Sequence, residues 1–73
     1  MISVLFFGKM ADITGQRRLS VEAGHHLRLW GLREQYLSGV DGVRMSVNRE
    51  MVHEDQELRD GDEVAFFSVF SGG

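Results

Sequence analysis

The sequence contains no cysteine and no proline, has a single lysine (Lys9) and lacks any long apolar run. A chain without cysteine has no disulfide, no thiolate nucleophile and no cysteine-ligated metal, which is consistent with a reducing compartment. The arginines are scattered, and the 11 acidic residues outnumber the 8 basic ones. No basic patch is therefore available to neutralise the phosphates of a nucleic acid, and the acidic balance favours a basic protein partner.

Neither a charged-then-apolar leader nor an apolar segment of membrane length occurs in the sequence. We therefore expect a soluble, unprocessed chain in the cytoplasm, with no membrane and no nucleic acid among its partners. The 73 residues suffice for one small domain, and a hydrophobic content of 42% is within the globular range. A domain of this size buries a modest core and has little stability to spare.

Hydrophobic patterning predicts four main strands, one short strand and one helix. The helix is predicted from an apolar stripe that begins at Leu29 and continues to Val40, with Gly39 as its stop signal. The strands are predicted over residues 2–7, 18–22, 43–47 and 63–70, with the short strand at 51–52. One helix packed on one mixed sheet of four to five strands is a two-layer α+β domain, expected to span residues 1–70.

The segments between these elements carry weaker signals. Residues 9–16 are predicted to form a connection from which Met10 and Ile13 reach the core. Leu58 is a lone apolar residue in a charged stretch and is expected to anchor that stretch in the core. The sequence Asp60-Gly61-Asp62 is a turn signal immediately before the last strand.

All phenylalanines lie in the first and last predicted strands. Both strands are apolar on both faces, which is typical of central strands, so we expect the two to pair in the middle of the sheet. A single helix covers only one face, and an exposed phenylalanine-rich face usually marks a partner site. The alternative is that Met10, Ile13 and Met51 close over that face. The phenylalanines are Phe6, Phe7, Phe66, Phe67 and Phe70.

The sequence ends in a short tail, Ser71-Gly72-Gly73, directly after the last predicted strand. Two glycines without side chains can thread a narrow channel and present a carboxylate inside another protein's active site. An α-carboxyl group has a pKa of about 3.3–3.7 and is ionised at neutral pH, so it needs activation, for example as an acyl-adenylate. The domain offers no nucleophile, base or metal for that step. The chain is therefore expected to be non-catalytic alone, with the catalytic machinery in its partners.

These features resemble the small subunit of molybdopterin synthase, the MoaD family. The resemblance rests on Val47-Asn48, on Leu58 leading into the run DGDEVAFF at 60–67, and on the closing Ser71-Gly72-Gly73. The opening VLFFG at 4–8 is similar to the family's first strand. The resemblance implies a β-grasp, ubiquitin-like fold and a sulfur carrier in molybdenum cofactor biosynthesis.

The MoaD resemblance also implies a cycle and a set of partners. A ubiquitin-activator-like adenylating enzyme would consume ATP to adenylate the terminal glycine, and a sulfur donor protein would supply the sulfur that replaces AMP. The resulting thiocarboxylate would enter the large subunit of molybdopterin synthase and donate sulfur to cyclic pyranopterin monophosphate. No cofactor bound by the chain itself is implied.

Site residues follow from the same resemblance, motif by motif. Gly73 would hold the sulfur, and Ser71 and Gly72 would belong to the inserted tail. A hydrophobic docking surface would form around three apolar residues, and three acidic residues would contact basic groups of the activating enzyme. For the acidic residues, ordinary turn chemistry is an equal alternative. The apolar residues are Phe7, Phe67 and Val69, and the acidic ones are Asp60, Asp62 and Glu63.

The sequence departs from the MoaD pattern where two prolines commonly follow the paired phenylalanines; here the stretch is Ser68-Val69-Phe70. Two other functions therefore stay open: a sulfur carrier for thiamin or tRNA thiolation, and a ubiquitin-like protein modifier or interaction module. The pair His25-His26 and the sequence His53-Glu54-Asp55 lack the spacing of a metal site, so no metal is expected.

Overall fold

The computed structural model describes residues 1–24 and 27–68. It forms a five-stranded mixed sheet in the order β2-β1-β5-β3-β4, with two helices. The fold is therefore the predicted α+β β-grasp. The elements are β1 (Ile2–Phe6), α1 (Lys9–Thr14), β2 (Arg18–Val21), α2 (Leu29–Leu37), β3 (Val43–Val47), β4 (Glu50–Val52) and β5 (Glu63–Ser68).

The first and last strands pair at the centre of the sheet, as their apolar sequences predict. β1 runs parallel to β5, with Val4 beside Val64 and Phe6 beside Phe66. The other pairings, β1 with β2, β3 with β5 and β3 with β4, are antiparallel. Because β1 and β5 are parallel, both strands end at the same edge of the sheet, which we call the exit edge because residues 69–73 follow β5 there.

The core lies between the sheet and the two helices. Phe66 is fully buried and stacks on Phe6 with ring centroids 5.7 Å apart, while Tyr36 of α2 meets Phe6 edge-on at 5.9 Å. Leu58 is buried, as predicted for a core anchor. The buried hydrophobic set is Ile2, Val4, Phe6, Met10, Leu29, Leu32, Leu37, Met45, Val47, Leu58, Val64, Ala65 and Phe66.

The predicted connection at 9–16 is wrong, because residues Lys9–Thr14 form helix α1. Gly8 and Gly15, both at positive φ, bracket this helix, and the Gly15 N–H donates to the carbonyl of Ala11. A left-handed glycine is a common way for a helix to end. Met10 is fully buried as expected, but Ile13 is 44% exposed, so the prediction that it reaches the core is also wrong.

The remaining boundaries differ from the predicted ones by a few residues. β1 ends at Phe6 rather than residue 7, β2 at Val21 rather than 22, and α2 at Leu37 rather than 40. β5 is described through Ser68, and the predicted strand residues Val69 and Phe70 lie outside the described part. Within the described ranges, no helix has the length and apolar character needed to cross a membrane.

Candidate functional site: the outer sheet face and the exit edge

The sheet has one face turned to the helices and one turned away, and strand alternation assigns each residue to a face. Val4, Val64 and Phe66 are completely buried on the helix side. Residues that alternate with them, Leu5, Ala65 and Phe67, therefore lie on the opposite side, which we call the outer face. This face has no helix packed against it among the described elements, because α1 and α2 both pack on the other side.

An apolar strip crosses the outer face. Its apolar residues on the central strands are the neighbours Leu5 and Ala65, and on the far side of Ala65 the polar Ser46 separates them from Met51 on the edge strand β4. Met51 is 52% exposed, so it borders the strip and does not seal it. Phe67 is half-buried one step nearer the exit edge. The alternative prediction was that Met10, Ile13 and Met51 close over this face. Met51 does not do so because it is exposed at the border, and Met10 does not do so because it is buried in the core.

Phe7 extends the strip to the exit edge. Its backbone N–H donates to the carbonyl of Phe66 at 3.0 Å, which continues the β1–β5 pairing, and its ring is 52% exposed. With Leu5 and Gly8, Phe7 also lines a groove between the end of β1 and the start of β2. The structure thus brings Phe7 and Phe67, two of the predicted docking residues, to the same end of the sheet.

The other residues predicted to act at the tail cannot be placed in the same way. Val69, Ser71, Gly72 and Gly73 lie outside the described residues, as do His25 and His26. What the described residues establish is the point from which the tail begins: Ser68 is paired with Val43 at the end of β5.

The predicted acidic residues lie at the far end of the sheet. β5 starts at Glu63, and a six-residue strand spans roughly 17 Å, so Glu63 and its neighbours are separated from the exit edge by about the length of the domain's central strand. Glu63 alternates with Ala65 and Phe67 and therefore shares the outer face. Asp60 pairs with the α-amino group of Met1. These acidic groups and the phenylalanines do not form one compact site.

Asp62 is engaged in holding the turn before β5. Its carboxylate accepts the backbone N–H of Arg59 at 2.8 Å and the side-chain amide of Asn48 at 2.9 Å. These two hydrogen bonds hold the pKa of Asp62 below its ordinary value. Asn48 also accepts the Glu63 N–H at 3.0 Å, so one asparagine ties the β3–β4 turn to the start of β5. For Asp62 the turn alternative is the one that the contacts support.

A second polar cluster holds the start of α2. The Asp55 carboxylate accepts from the Arg28 guanidinium at 2.8 Å and from the Trp30 N–H at 2.9 Å. The pKa of Asp55 is lowered mainly by the hydrogen bond from Arg28 and next by that from Trp30. The pKa of Arg28 is raised by its hydrogen bond to Asp55 and by the negative charge of that carboxylate. Trp30 lies on the exposed side of α2 with the Arg33 guanidinium over its ring. Across the described ranges, no group of three potential metal ligands occurs.

The sequence analysis missed the arginines around the apolar strip. Arg44 is exposed and neighbours Phe67 on β3, and Arg18 is exposed and neighbours Leu5 on β2. Arg17 is exposed and lines the groove beside Phe7. These residues are scattered along the sequence and come together only through strand pairing. Alternation in β2 and β3, where Arg18 precedes the half-buried Leu19 and Arg44 precedes the buried Met45, is the sequence signal that could have assigned these two arginines to the outer face.

Comparison with known proteins identifies the family. The ThiS family model matches residues 4–73, nearly the whole chain. The chain belongs to the ThiS family. A ThiS-family assignment agrees with the β-grasp architecture, with the central β1–β5 pair and with the exit edge from which the tail begins.

Two similar proteins accompany the ThiS-family match. The chain is 35% identical over 82 aligned positions to the molybdopterin synthase sulfur carrier subunit of Escherichia coli (strain K12), and the alignment covers all of both chains. The crystal structure of SAMP1 from Haloferax volcanii superposes with a TM-score of 0.73 at 22% identity, covering 99% of this chain and 98% of SAMP1. The second likeness establishes the ubiquitin-like fold.

Proposed function

We propose that this ThiS-family protein is the sulfur-carrier small subunit of molybdopterin synthase, with Gly73 as the group that carries the sulfur. The observation that carries the proposal is the full-length, 35% identical match to an E. coli protein of that name. The family match also runs through residue 73 and so includes Gly72-Gly73. The resemblance in the run DGDEVAFF at 60–67 supports the same function.

The proposed chemistry takes place on the terminal carboxylate. Because the ionised carboxylate is a poor electrophile, one of its oxygens first attacks the α-phosphorus of ATP, and pyrophosphate leaves. Hydrosulfide released by a donor protein then attacks the acyl carbon, AMP leaves, and loss of the proton on sulfur gives the thiocarboxylate. An adenylating enzyme supplies the ATP site, and the chain itself binds no cofactor. In the large subunit the thiocarboxylate sulfur then bonds to carbon of cyclic pyranopterin monophosphate, and water cleaves the acyl–sulfur bond, which leaves the sulfur on the pterin and restores the Gly73 carboxylate.

The position of the apolar strip supports docking next to the tail. Phe7 and Phe67 lie at the exit edge, and residues 69–73 can span at most roughly 17 Å when fully extended. A partner that binds the strip would therefore have the terminal carboxylate within that radius. Val69, Ser71 and Gly72 are proposed to contribute to this insertion. Asp60 and Glu63 are proposed as more distant contacts to the activating enzyme.

The test is reconstitution with the adenylating enzyme, the large subunit and a sulfur donor. Wild-type protein with ATP should gain the mass of one oxygen-to-sulfur exchange, located by mass spectrometry at the C-terminal peptide. Deleting Gly73 should abolish this gain and leave the thermal unfolding curve unchanged, because a terminal residue makes few contacts. Thiocarboxylate formation by the truncated protein at the wild-type rate would rule the mechanism out.

A sulfur carrier for another acceptor is the second candidate. It is favoured by the match to the ThiS family as a whole and by the absence of proline between Phe67 and the tail. The loaded carrier can be offered separately to the molybdopterin synthase large subunit with its pterin substrate and to thiamin- and tRNA-thiolating systems. Turnover only with the large subunit supports the first function, and turnover only with another acceptor supports the second. A protein modifier would instead give isopeptide-linked ladders on immunoblots.

A further inference from the structure

Two exposed arginines flank the apolar strip on the half of the outer face next to the exit edge, although the chain as a whole has a net charge of −3. Arg44 neighbours Phe67 on one side of the apolar strip, and Arg18 neighbours Leu5 on the other. Arg17 lines the groove that contains Phe7, and the acidic Asp12 lines the same groove. All three arginines are exposed.

None of these arginines forms an ion pair within the described part of the chain. The ion pairs there join Asp60 to the α-amino group of Met1 and Arg28 to Asp55, and neither pair lies at the exit edge. The Asp62 carboxylate is committed to the turn at the opposite end of the sheet. On the outer face itself, Arg18 and Arg44 therefore border the exit-edge half and Glu63 lies in the other half, while Asp12 lies in the groove at the end of β1.

The apolar strip separates the arginines. Arg18 lies on β2 and Arg44 on β3, with β1 and β5 between them. The backbones of their two strands are therefore three strand spacings, or roughly 14 Å, apart. A single small anion cannot bridge this distance. A surface that contacts both arginines must also cover Leu5, Ala65 and Phe67, which calls for an apolar centre.

We propose that the exit-edge half of the outer face docks onto a protein surface whose apolar pocket is rimmed by Asp and Glu side chains. The carboxylates of that rim pair with Arg18 and Arg44, while Phe67 and Phe7 enter the pocket. This inference rests on the proposed function only for the choice of partner, which we take to be the molybdopterin synthase large subunit. The overall composition favours a basic partner, but for this face we propose an acidic partner surface instead.

Charge complementarity also separates this partner from two other occupants. A nucleic acid would be repelled by the net negative charge and would leave the apolar centre uncompensated. A second copy of the chain could offer only the Glu63 half of its own outer face to these arginines. Self-association is therefore an outcome that the experiment must detect.

The experiment measures association of the full chain with the large subunit for wild type and for Arg18→Glu and Arg44→Glu. Arg33→Glu makes the same charge change on α2, away from the outer face, and serves as the control; because Arg33 is half-buried over the Trp30 ring, its unfolding curve is recorded alongside to show that the variant is folded. At low salt we expect each outer-face reversal to weaken the affinity at least about fivefold, mainly through slower association, and the control to remain within twofold of wild type. Raising the ionic strength should reduce the difference, and Arg18→Lys and Arg44→Lys should retain the wild-type affinity.

Three results would overturn the inference. The first is a reversal variant that binds as tightly as the Arg33→Glu control. The second is a wild type that does not bind the large subunit at all, and the third is sedimentation evidence that wild type dimerises through this face while both reversals are monomeric. Thiocarboxylate formation is followed in the same samples by mass spectrometry. If the thiocarboxylate forms but the arginine reversals bind as tightly as wild type, only the acidic-rim inference is refuted. If the reversals weaken binding but no thiocarboxylate forms, only the proposed function is refuted.

Discussion

Asn48 and Asp62 illustrate how single polar residues hold the end of the sheet opposite the tail. Asn48 has a φ of 52° and Arg49 a φ of 70°, so both residues of the β3–β4 turn are left-handed. Such a two-residue turn matches the twist of the flanking strands, and asparagine tolerates its first position well. From there the Asn48 side chain reaches both Asp62 and the Glu63 backbone. The sequence predicted the turn at Asp60-Gly61-Asp62 but not its link to Asn48, because the contact spans 14 residues.

Replacing Asp62 by alanine should destabilise the domain in a pH-dependent way. The variant loses two hydrogen bonds to a carboxylate, worth about 1–2 kcal/mol together at neutral pH for a partly exposed group. Because the folded-state pKa of Asp62 is lowered, its stabilisation is complete above the unfolded value of about 3.9 and is lost as the pH falls through the lower folded value. Urea unfolding at pH 7 and at pH 3 measures the difference, which should shrink at the acidic pH.

Asp41→Asn is the matched control for Asp62→Ala. Asp41 is exposed and precedes Gly42 in a turn where asparagine is equally suitable. Its free energy of unfolding should stay within about 0.5 kcal/mol of wild type at both pH values. Equal stability losses for the two variants would contradict the structural role assigned to Asp62.

Helix α1 is the element that sequence patterning did not predict, and its length explains why. Six residues give less than two helical turns, too few for an amphipathic period to be recognised, and such a helix is unstable in isolation. It is held by Met10, which is buried in the core, and by the glycines that bracket it. Gly8 and Gly15 can be read from the sequence, but they indicate the two ends of a helix only when both are known to have positive φ.

Met10 and Ile13 therefore provide a test of how α1 is anchored. Met10→Ala should cost about 2–4 kcal/mol because it removes a fully buried side chain from the core. Ile13→Ala should change the free energy of unfolding by less than about 1 kcal/mol, since Ile13 is 44% exposed and alanine favours the helix. Chemical denaturation of both variants at one pH gives the comparison. Equal losses would show that α1 packs through Ile13 as well.

Helix α2, unlike α1, is predicted by its own sequence pattern, but the group that caps its start is distant in sequence. Its apolar stripe correctly predicts the buried residues Leu29, Leu32 and Leu37. Its start carries no local side-chain cap, and the residue that accepts the Trp30 N–H is Asp55, which is 25 residues away. The buried face of the helix was thus available from the sequence, whereas its end at Leu37 and the group that satisfies its first turn depend on tertiary structure.

At the scale of the whole molecule, the sheet divides the domain into a helix-covered face that holds the core and the outer face, which we propose as the binding face. The sequence predicted this division because β1 and β5 are apolar on both sides while one main helix can cover only one of them. It did not predict the charge around the binding face, because Arg18 and Arg44 are brought to the strip by pairing of β2 and β3 with the central strands. Binary patterns thus indicate faces, and long-range register decides which charges share a face.

Adjacent phenylalanines at the end of β1 should separate stability from binding. Phe6→Leu should cost roughly 1–3 kcal/mol, because Phe6 stacks on Phe66 and contacts Tyr36 in the core. Phe7→Ser should leave the free energy of unfolding within about 1 kcal/mol of wild type, because its ring is half exposed. The same Phe7→Ser change should weaken affinity for the large subunit at least about tenfold, as expected for an aromatic anchor in an interface.

Unfolding curves and titration calorimetry on both variants measure these effects. At temperatures where Phe6→Leu remains folded, it should bind the large subunit with wild-type affinity, since its side chain points to the helices and contributes nothing to the outer face. If Phe7→Ser bound as tightly as wild type, the exposed ring would not be part of the docking surface, and the partner would have to approach the tail from another side. If Phe6→Leu lost affinity in proportion to its lost stability, binding would depend on the rigidity of the β1–β5 pair rather than on the side chains of the strip.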